Sequence, residues 1–128
     1  MRVLLDTCTF LWIATDAPKL SALARDVFQS PENDIYLSAV STWEIAVKHG
    51  IGRLPLPESP HTYIPRLRRS HGIEALPLDE DSTLHLVRLP PLHRDPFDRM
   101  LVCQAIVEGM VLLTPDPAIT QYPVRSLW

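Results

Sequence analysis

A three-layer α/β/α sandwich around a mainly parallel central sheet is the fold this chain predicts, and three observations predict it. Short continuous apolar runs, Val3-Leu4-Leu5, Ile35-Tyr36-Leu37 and Val111-Leu112-Leu113, have the length of strands buried on both faces. Segments with helical start and stop signals separate them. Strand and helix therefore alternate along the chain, the order that produces crossover connections and a parallel sheet.

Each element follows from local signals. Val3 to Leu5 forms the first strand, and a helix is expected from Cys8 to about Thr15. Ser21 is placed to cap a helix over Ala22–Phe28, which Pro31 closes. Asn33-Asp34 is turn chemistry before the strand Ile35–Leu37, and Ser38 caps a helix from Ala39 to His49 that stops at Gly50. The proline-rich stretch from Ile51 to Pro57 reads as an extended arm packed on the core. Pro60 to Ser70 reads as a helix that Pro65 should bend or delay, because proline removes a backbone donor. Ile73 to Leu78 suits a short strand. Asp79 caps a helix carrying Leu84, Val87 and Leu89 that breaks at Pro90-Pro91. A loop then feeds a long helix from Phe97 to Glu108, with Gly109 past its end. Val111–Leu113 is another buried strand, Asp116 lies in a proline-flanked turn, and Val124–Leu127 adds an edge strand.

Composition narrows the function classes. The 128 residues read as one domain, 1–128, large enough for a real core. Hydrophobic residues make up 46% and charged residues 21%, ordinary globular usage that indicates neither disorder nor a membrane span. A net charge of -3 means that any polyanion must be met by a local basic patch or a bound metal, not by the overall field. Asp6 interrupts the apolar opening before a signal-peptide core can form, so a cytoplasmic protein is expected. Cys8 and Cys103 lack metal-ligand spacing and read as reduced, largely buried thiols.

Asp6, Glu44, Asp98 and Asp116 carry the chemistry. Each stands where an apolar run gives way to a helix or loop, and parallel strands deliver their C-terminal ends to one side of a sheet. Singly, each has an ordinary role as a strand terminator, helix start or turn residue. Glu44 is the exception, because it lies well inside an apolar helix and a charge there needs a partner. Gathered together, the four would repel one another unless they shared a cation, and an all-oxygen set suits magnesium or manganese.

The ordered set resembles the PIN-domain family, and within it the VapC toxins of bacterial type II toxin-antitoxin pairs. The matching stretches are Leu4-Leu5-Asp6-Thr7, Ser38-Ala39-Val40-Ser41-Thr42-Trp43-Glu44-Ile45, His93-Arg94-Asp95-Pro96-Phe97-Asp98-Arg99-Met100-Leu101 and Leu113-Thr114-Pro115-Asp116. The resemblance implies a PIN-like fold in which Asp6, Glu44 and Asp98 are the core metal-binding acids and Asp116 the more variable fourth. Asp95 is a further acid of the Asp-Pro-Phe-Asp-Arg subgroup. Thr7, Ser41 and Thr114 match polar positions beside the acids, where hydroxyls orient carboxylates or water. The implied activity is a Mg2+- or Mn2+-dependent endoribonuclease that leaves a 5′-phosphate and a 3′-hydroxyl. RNA is then the substrate, a cognate antitoxin protein the partner, and a homodimer the assembly, with no membrane involved.

Other residues have competing readings. Arg66, Arg68 and Arg69 could meet phosphates or simply form a solvated helix face. Arg99 and Lys48 stand one and four residues from Asp98 and Glu44, so either could pair with an acid or hold the scissile phosphate, Arg99 being the better candidate. His93, a lone histidine, reads as a loop hydrogen-bonder. Trp12, Trp43 and Trp128 could stack bases, but Trp12 and Trp43 lie in apolar helical stretches and read as core or interface. The apolar set Phe10, Leu11, Trp12, Leu20 and Leu23 indicates a dimer contact or a groove for an antitoxin helix. Three other functions compete: a non-toxin PIN nuclease in RNA processing, a non-catalytic binding module, and a small-molecule phosphohydrolase. The last would place a second acid two residues beyond Asp6, where Cys8 stands.

Overall fold

The computed structural model describes residues Met1–Trp128. Its strands are β1 (Arg2–Leu5), β2 (Asp34–Ser38), β3 (Glu74–Leu76), β4 (Val111–Leu113) and β5 (Ser126–Leu127). They form one sheet in the order β3-β2-β1-β4-β5. Every pairing is parallel, with Leu4 opposite Tyr36 on one side and Leu112 on the other. The strand order reverses direction at β1, so the crevice beyond its C-terminal end is the topological switch point where α/β folds bind ligands.

Seven helices cover the sheet: α1 (Thr7–Thr15), α2 (Ala22–Gln29), α3 (Ala39–Gly50), α4 (Pro60–Ser70), α5 (Glu80–His85), α6 (Pro96–Glu108) and α7 (Pro117–Thr120). Alternation within the strands divides the core in two, because successive side chains leave opposite faces. Val3, Leu5 and Leu113 join Phe10, Ile13, Ala24, Ile45 and Ile64 of α1 to α4 on one face. Leu4 and Leu112 join Leu101, Val102 and Ala105 of α6 and Ile119 of α7 on the other. Both central strands are thus apolar on both faces, which is why their sequences do not alternate.

The caps act where they were expected: the Ser21 hydroxyl accepts from Ala24 N–H, Ser38 from Val40 N–H and Asp79 from Ser82 N–H. The 51–57 stretch has no regular element, and Leu54 and Leu56 pack against the core. Several local expectations are corrected. Pro65 does not delay α4, which starts at Pro60 and runs through it. The third strand is only Glu74–Leu76, because Pro77 cannot donate to the ladder. Asp116 caps a short helix, α7, with Pro117 at its first position, instead of lying in a simple turn. Past His85 the backbone tightens to a 3-10 turn over Leu86–Arg88, which rotates the apolar pattern. Val87 in that turn faces outward, Leu84 is already exposed within α5, and of the three only Leu89 is buried. No helix is long and apolar enough to cross a membrane.

Candidate active site

Asp6 is the first residue beyond β1 and sits at the switch point, 4% exposed. It caps α1, accepting from Thr9 N–H at 2.7 Å on Oδ1, while the Thr114 hydroxyl at the end of β4 donates to Oδ2. Thr114 Oγ1 in turn accepts from Asp116 N–H at 3.1 Å, so one hydroxyl joins the ends of two adjacent strands to the loop before α7. Thr9 Oγ1 donates to Leu113 O at 3.0 Å and ties α1 to β4. Burial pushes the Asp6 carboxyl above its ordinary range, against the stabilising hydrogen bonds from Thr114 and Thr9, and the nearby Asp116 charge adds to the rise.

Glu44 is reached from the opposite side. α3 starts directly at the end of β2, and a helix turning on a 3.6-residue period brings Ser41 and Glu44 onto one face. Both are buried. Thr7 Oγ1 lies 2.6 Å from Glu44 Oε1 and 3.0 Å from Ser41 Oγ. The carboxylate can only accept, so the single Thr7 proton goes to Glu44 and the Ser41 hydroxyl donates to Thr7. Lys48, one turn further along α3, pairs with the other carboxylate oxygen, and this hydrogen bond raises the lysine above its ordinary value. The buried charge of Glu44 therefore has its partners in Thr7 and Lys48.

The first turn of α6 presents Asp98. Asp95 caps this helix, accepting from Phe97 N–H at 2.9 Å and Asp98 N–H at 3.1 Å. Asp95 is thereby accounted for as a structural cap, while its charge still acts on Asp98. The Asp98 carboxyl is pushed up to about 6, first by burial and then by Asp95; a hydrogen bond from His93 opposes the rise, and Glu44 and Asp116 add to it. Asp116 is half-buried and caps α7, accepting from Ala118 N–H at 2.9 Å.

His93 and Tyr122 belong to the same constellation; His93 is the loop hydrogen-bonder its sequence context suggests, and Tyr122 does not stand out in the sequence. Tyr122 Oη accepts from the His93 backbone N–H at 3.1 Å and lies 2.7 Å from His93 Nδ1. The phenol proton is then free for Nδ1, which makes Nδ1 the acceptor and leaves the ring proton on Nε2, 3.4 Å from Asp98 Oδ2. His93 O also accepts from Arg99 Nη1 at 3.2 Å, so Arg99 braces the loop and does not pair with Asp98. No spacing in the sequence links Tyr122 to His93. Thr9 had a signal, standing three residues after a capping Asp.

Cys8 shows how far the acids converge. Exposed, not buried as expected, its thiol is raised to about 11 by incomplete burial and then by the charges of Asp6, Glu44 and Asp98, with Lys48 opposing. The charges of Asp6 at α1's cap, Glu44 on α3 and Asp98 on α6 are thus all felt at this thiol. The acids do not close into a cage, because no group of three or more Asp, Glu, His or Cys side chains is arranged to hold a metal ion. Hydroxyls, backbone amides and Lys48 satisfy the carboxylate oxygens instead. As a donor set the residues suit a hard divalent cation: they are all oxygen, desolvated and of like charge, and the neighbouring thiol stays protonated.

Of the three arginines in the candidate basic helix, Arg66 pairs with Glu58 and Arg68 donates to Ile73 O at 3.2 Å. Trp12 packs edge-on against Trp128 at 5.7 Å beside the core. Trp43 is not core, being 58% exposed.

Comparisons with known proteins agree with this architecture. The family model described as PIN domain matches residues 3–124. Ribonuclease VapC16 of Mycobacterium tuberculosis is 46% identical over 57 residues, a match covering 41% of this chain and 40% of that protein. The matched stretch is thus about two fifths of either chain. Among solved structures, VapBC2 from Rickettsia felis, bound to a DNA fragment from its promoter, superposes with a TM-score of 0.76 at 16% identity, covering 99% of this chain and 98% of that one. VapBC-1 from nontypeable Haemophilus influenzae gives 0.66 at 20% identity, covering 99% and 97%. At such identities the likeness is one of fold. The family model spans nearly the whole sequence, and it includes the strand ends and helix starts that carry Asp6, Glu44, Asp98 and Asp116: this chain belongs to the PIN domain family.

Proposed function

We propose that this protein is a divalent-metal-dependent endoribonuclease and the toxin of a type II toxin-antitoxin pair. Asp6, Glu44 and Asp98, with Asp116 beside them, would hold Mg2+ or Mn2+. The observation that carries the reading is the burial of these acids within one another's reach: burial and then Asp95 push Asp98 up to about 6, with Glu44 and Asp116 adding, and burial raises Asp6, with Asp116 adding. Like charges held in a desolvated pocket are costly unless a cation offsets them. A relative named as a ribonuclease, and structural neighbours named as a member of the VapBC family of toxin-antitoxin systems and as a toxin-antitoxin complex, support the substrate class and the antitoxin partner.

A divalent cation bound there supplies Lewis acidity toward a phosphoryl oxygen and acidifies water, so no side-chain nucleophile is needed. The protein's own groups set the geometry. The Thr114 hydroxyl and Thr9 N–H fix the rotamer of Asp6, Thr7 fixes Glu44, and His93 fixes Asp98. Arg99, braced on His93 O, stands one residue from Asp98, where its remaining donors can meet a phosphate. A homodimer in the cytoplasm is part of the proposal.

The test is cleavage of structured RNA with and without a chelator, beside Asp6→Asn and Asp98→Asn. Metal-dependent cleavage abolished by either substitution is expected. Cleavage that survives chelator and both substitutions would remove these acids from the mechanism.

A further inference from the structure

We propose that Trp43 is a base-stacking platform for single-stranded RNA on the strand being cut, and that Arg94 and Arg99 hold the adjoining phosphate. The proposal rests on the nuclease reading and names the subsite next to its acids. Trp43 immediately precedes the buried Glu44 on α3, yet its own side chain is 58% exposed. Phe97, which immediately precedes Asp98 on α6, supports the indole edge-on, with ring centroids 4.9 Å apart at 73°. The two aromatic residues that flank two of the candidate acids thus pack on each other and fix the indole in place.

Trp43 also lines two clefts. One, of about 460 Å³, runs between α3 and α4 and has Arg68 in its wall. The other, of about 530 Å³, lies between α5 and the start of α6 and is lined by Arg94, Arg99, Leu78 and Met100 as well as Trp43. Arg94 is exposed and enters no ion pair. Each cleft is largely apolar with arginine in its wall, and the two share an exposed indole on the residue that precedes the buried Glu44. A net charge of -3 requires such a local cationic patch if an RNA strand is to approach those acids at all. Charge complementarity decides the occupant: a ligand with flat apolar faces and a negative backbone satisfies the indole and the arginines together.

Binding is read without turnover, as anisotropy of a fluorescein-labelled single-stranded oligoribonucleotide in EDTA, with sedimentation velocity on the same samples. Trp43→Leu and Trp43→Ala should weaken binding about tenfold or more, whereas Trp43→Phe, which keeps a stacking face, should retain most of the affinity. Arg94→Gln should weaken binding and lower its salt dependence by about one phosphate contact. In metal-loaded cleavage assays Trp43→Leu should raise KM more than it lowers kcat. Trp43→Leu that binds and cleaves like the wild type overturns the proposal and leaves the nuclease reading intact. A change in association state with unchanged RNA affinity per protomer also overturns it, and assigns Trp43 to contact between copies. A wild type that neither binds nor cleaves RNA overturns both.

Discussion

Tyr122 sets the tautomer of His93. Its hydroxyl accepts the His93 backbone N–H at 3.1 Å and lies 2.7 Å from Nδ1, so the ring presents Nε2–H to Asp98. A residue after α7 thereby orients an acid at the start of α6. In 15N spectra of metal-free protein above pH 7.5, His93 should show the Nε2–H tautomer alone. Tyr122→Phe should give a mixture of tautomers and a modest loss of stability, about 1 kcal/mol for one hydrogen bond in a half-buried site. A single Nδ1–H tautomer in the wild type would contradict the arrangement.

The raised Asp98 carboxyl makes metal-free stability depend on pH with a definite sign. Its folded value, about 6, exceeds the unfolded value, so the folded state binds the proton more tightly between the two. Stability should therefore fall as pH rises from about 4 through 6, the charged form being penalised by burial, Asp95, Glu44 and Asp116. Asp98→Asn should flatten that slope, leaving the share due to the raised Asp6 carboxyl, and be more stable than the wild type at pH 7.5 in EDTA, by about 1 kcal/mol after allowing for solvent screening. Urea melts at pH 5 and 7.5 read both effects. A wild type that gains stability over this interval relative to Asp98→Asn contradicts the assignment.

Thr7 donates to Glu44 at 2.6 Å and accepts from Ser41. Thr7→Val keeps the shape but leaves a buried carboxylate oxygen and a buried hydroxyl unpartnered, so a loss of about 1–3 kcal/mol is expected in chemical denaturation. Thr7→Ser should restore most of it. Equal stability of Thr7→Val and wild type would mean that Lys48 alone satisfies Glu44.

The acids were legible in the sequence because each follows a local signal. Asp6 ends a continuous apolar run, Glu44 is a charge inside an apolar helix, and Asp98 opens a helix behind Asp95-Pro96. Their convergence follows from the parallel sheet. The His93–Tyr122 link was not legible, because it joins a loop to a residue 29 positions away that no periodicity relates to it. The exposure of Trp43 was hidden for another reason. Its neighbours Ile45 and Val40 are core residues, and an apolar helix serving both a core and a cleft carries no clean polar stripe. Val87 misled because a helical period was extended across a 3-10 turn, and Leu84 because a six-residue helix is too short for its period to fix a face. The short α7 offered too few residues for any period to show.

The central claim is that Asp6, Glu44, Asp98 and Asp116 share a divalent ion although they do not form a closed cage without it. Anomalous diffraction from crystals soaked in millimolar Mn2+ tests this most directly. The account predicts one strong peak beyond the C-terminal end of β1, within about 2.2 Å of carboxylate oxygens of Asp6 and Asp98, with Lys48 drawn off Glu44. No peak there, with Lys48 still paired to Glu44, would contradict it.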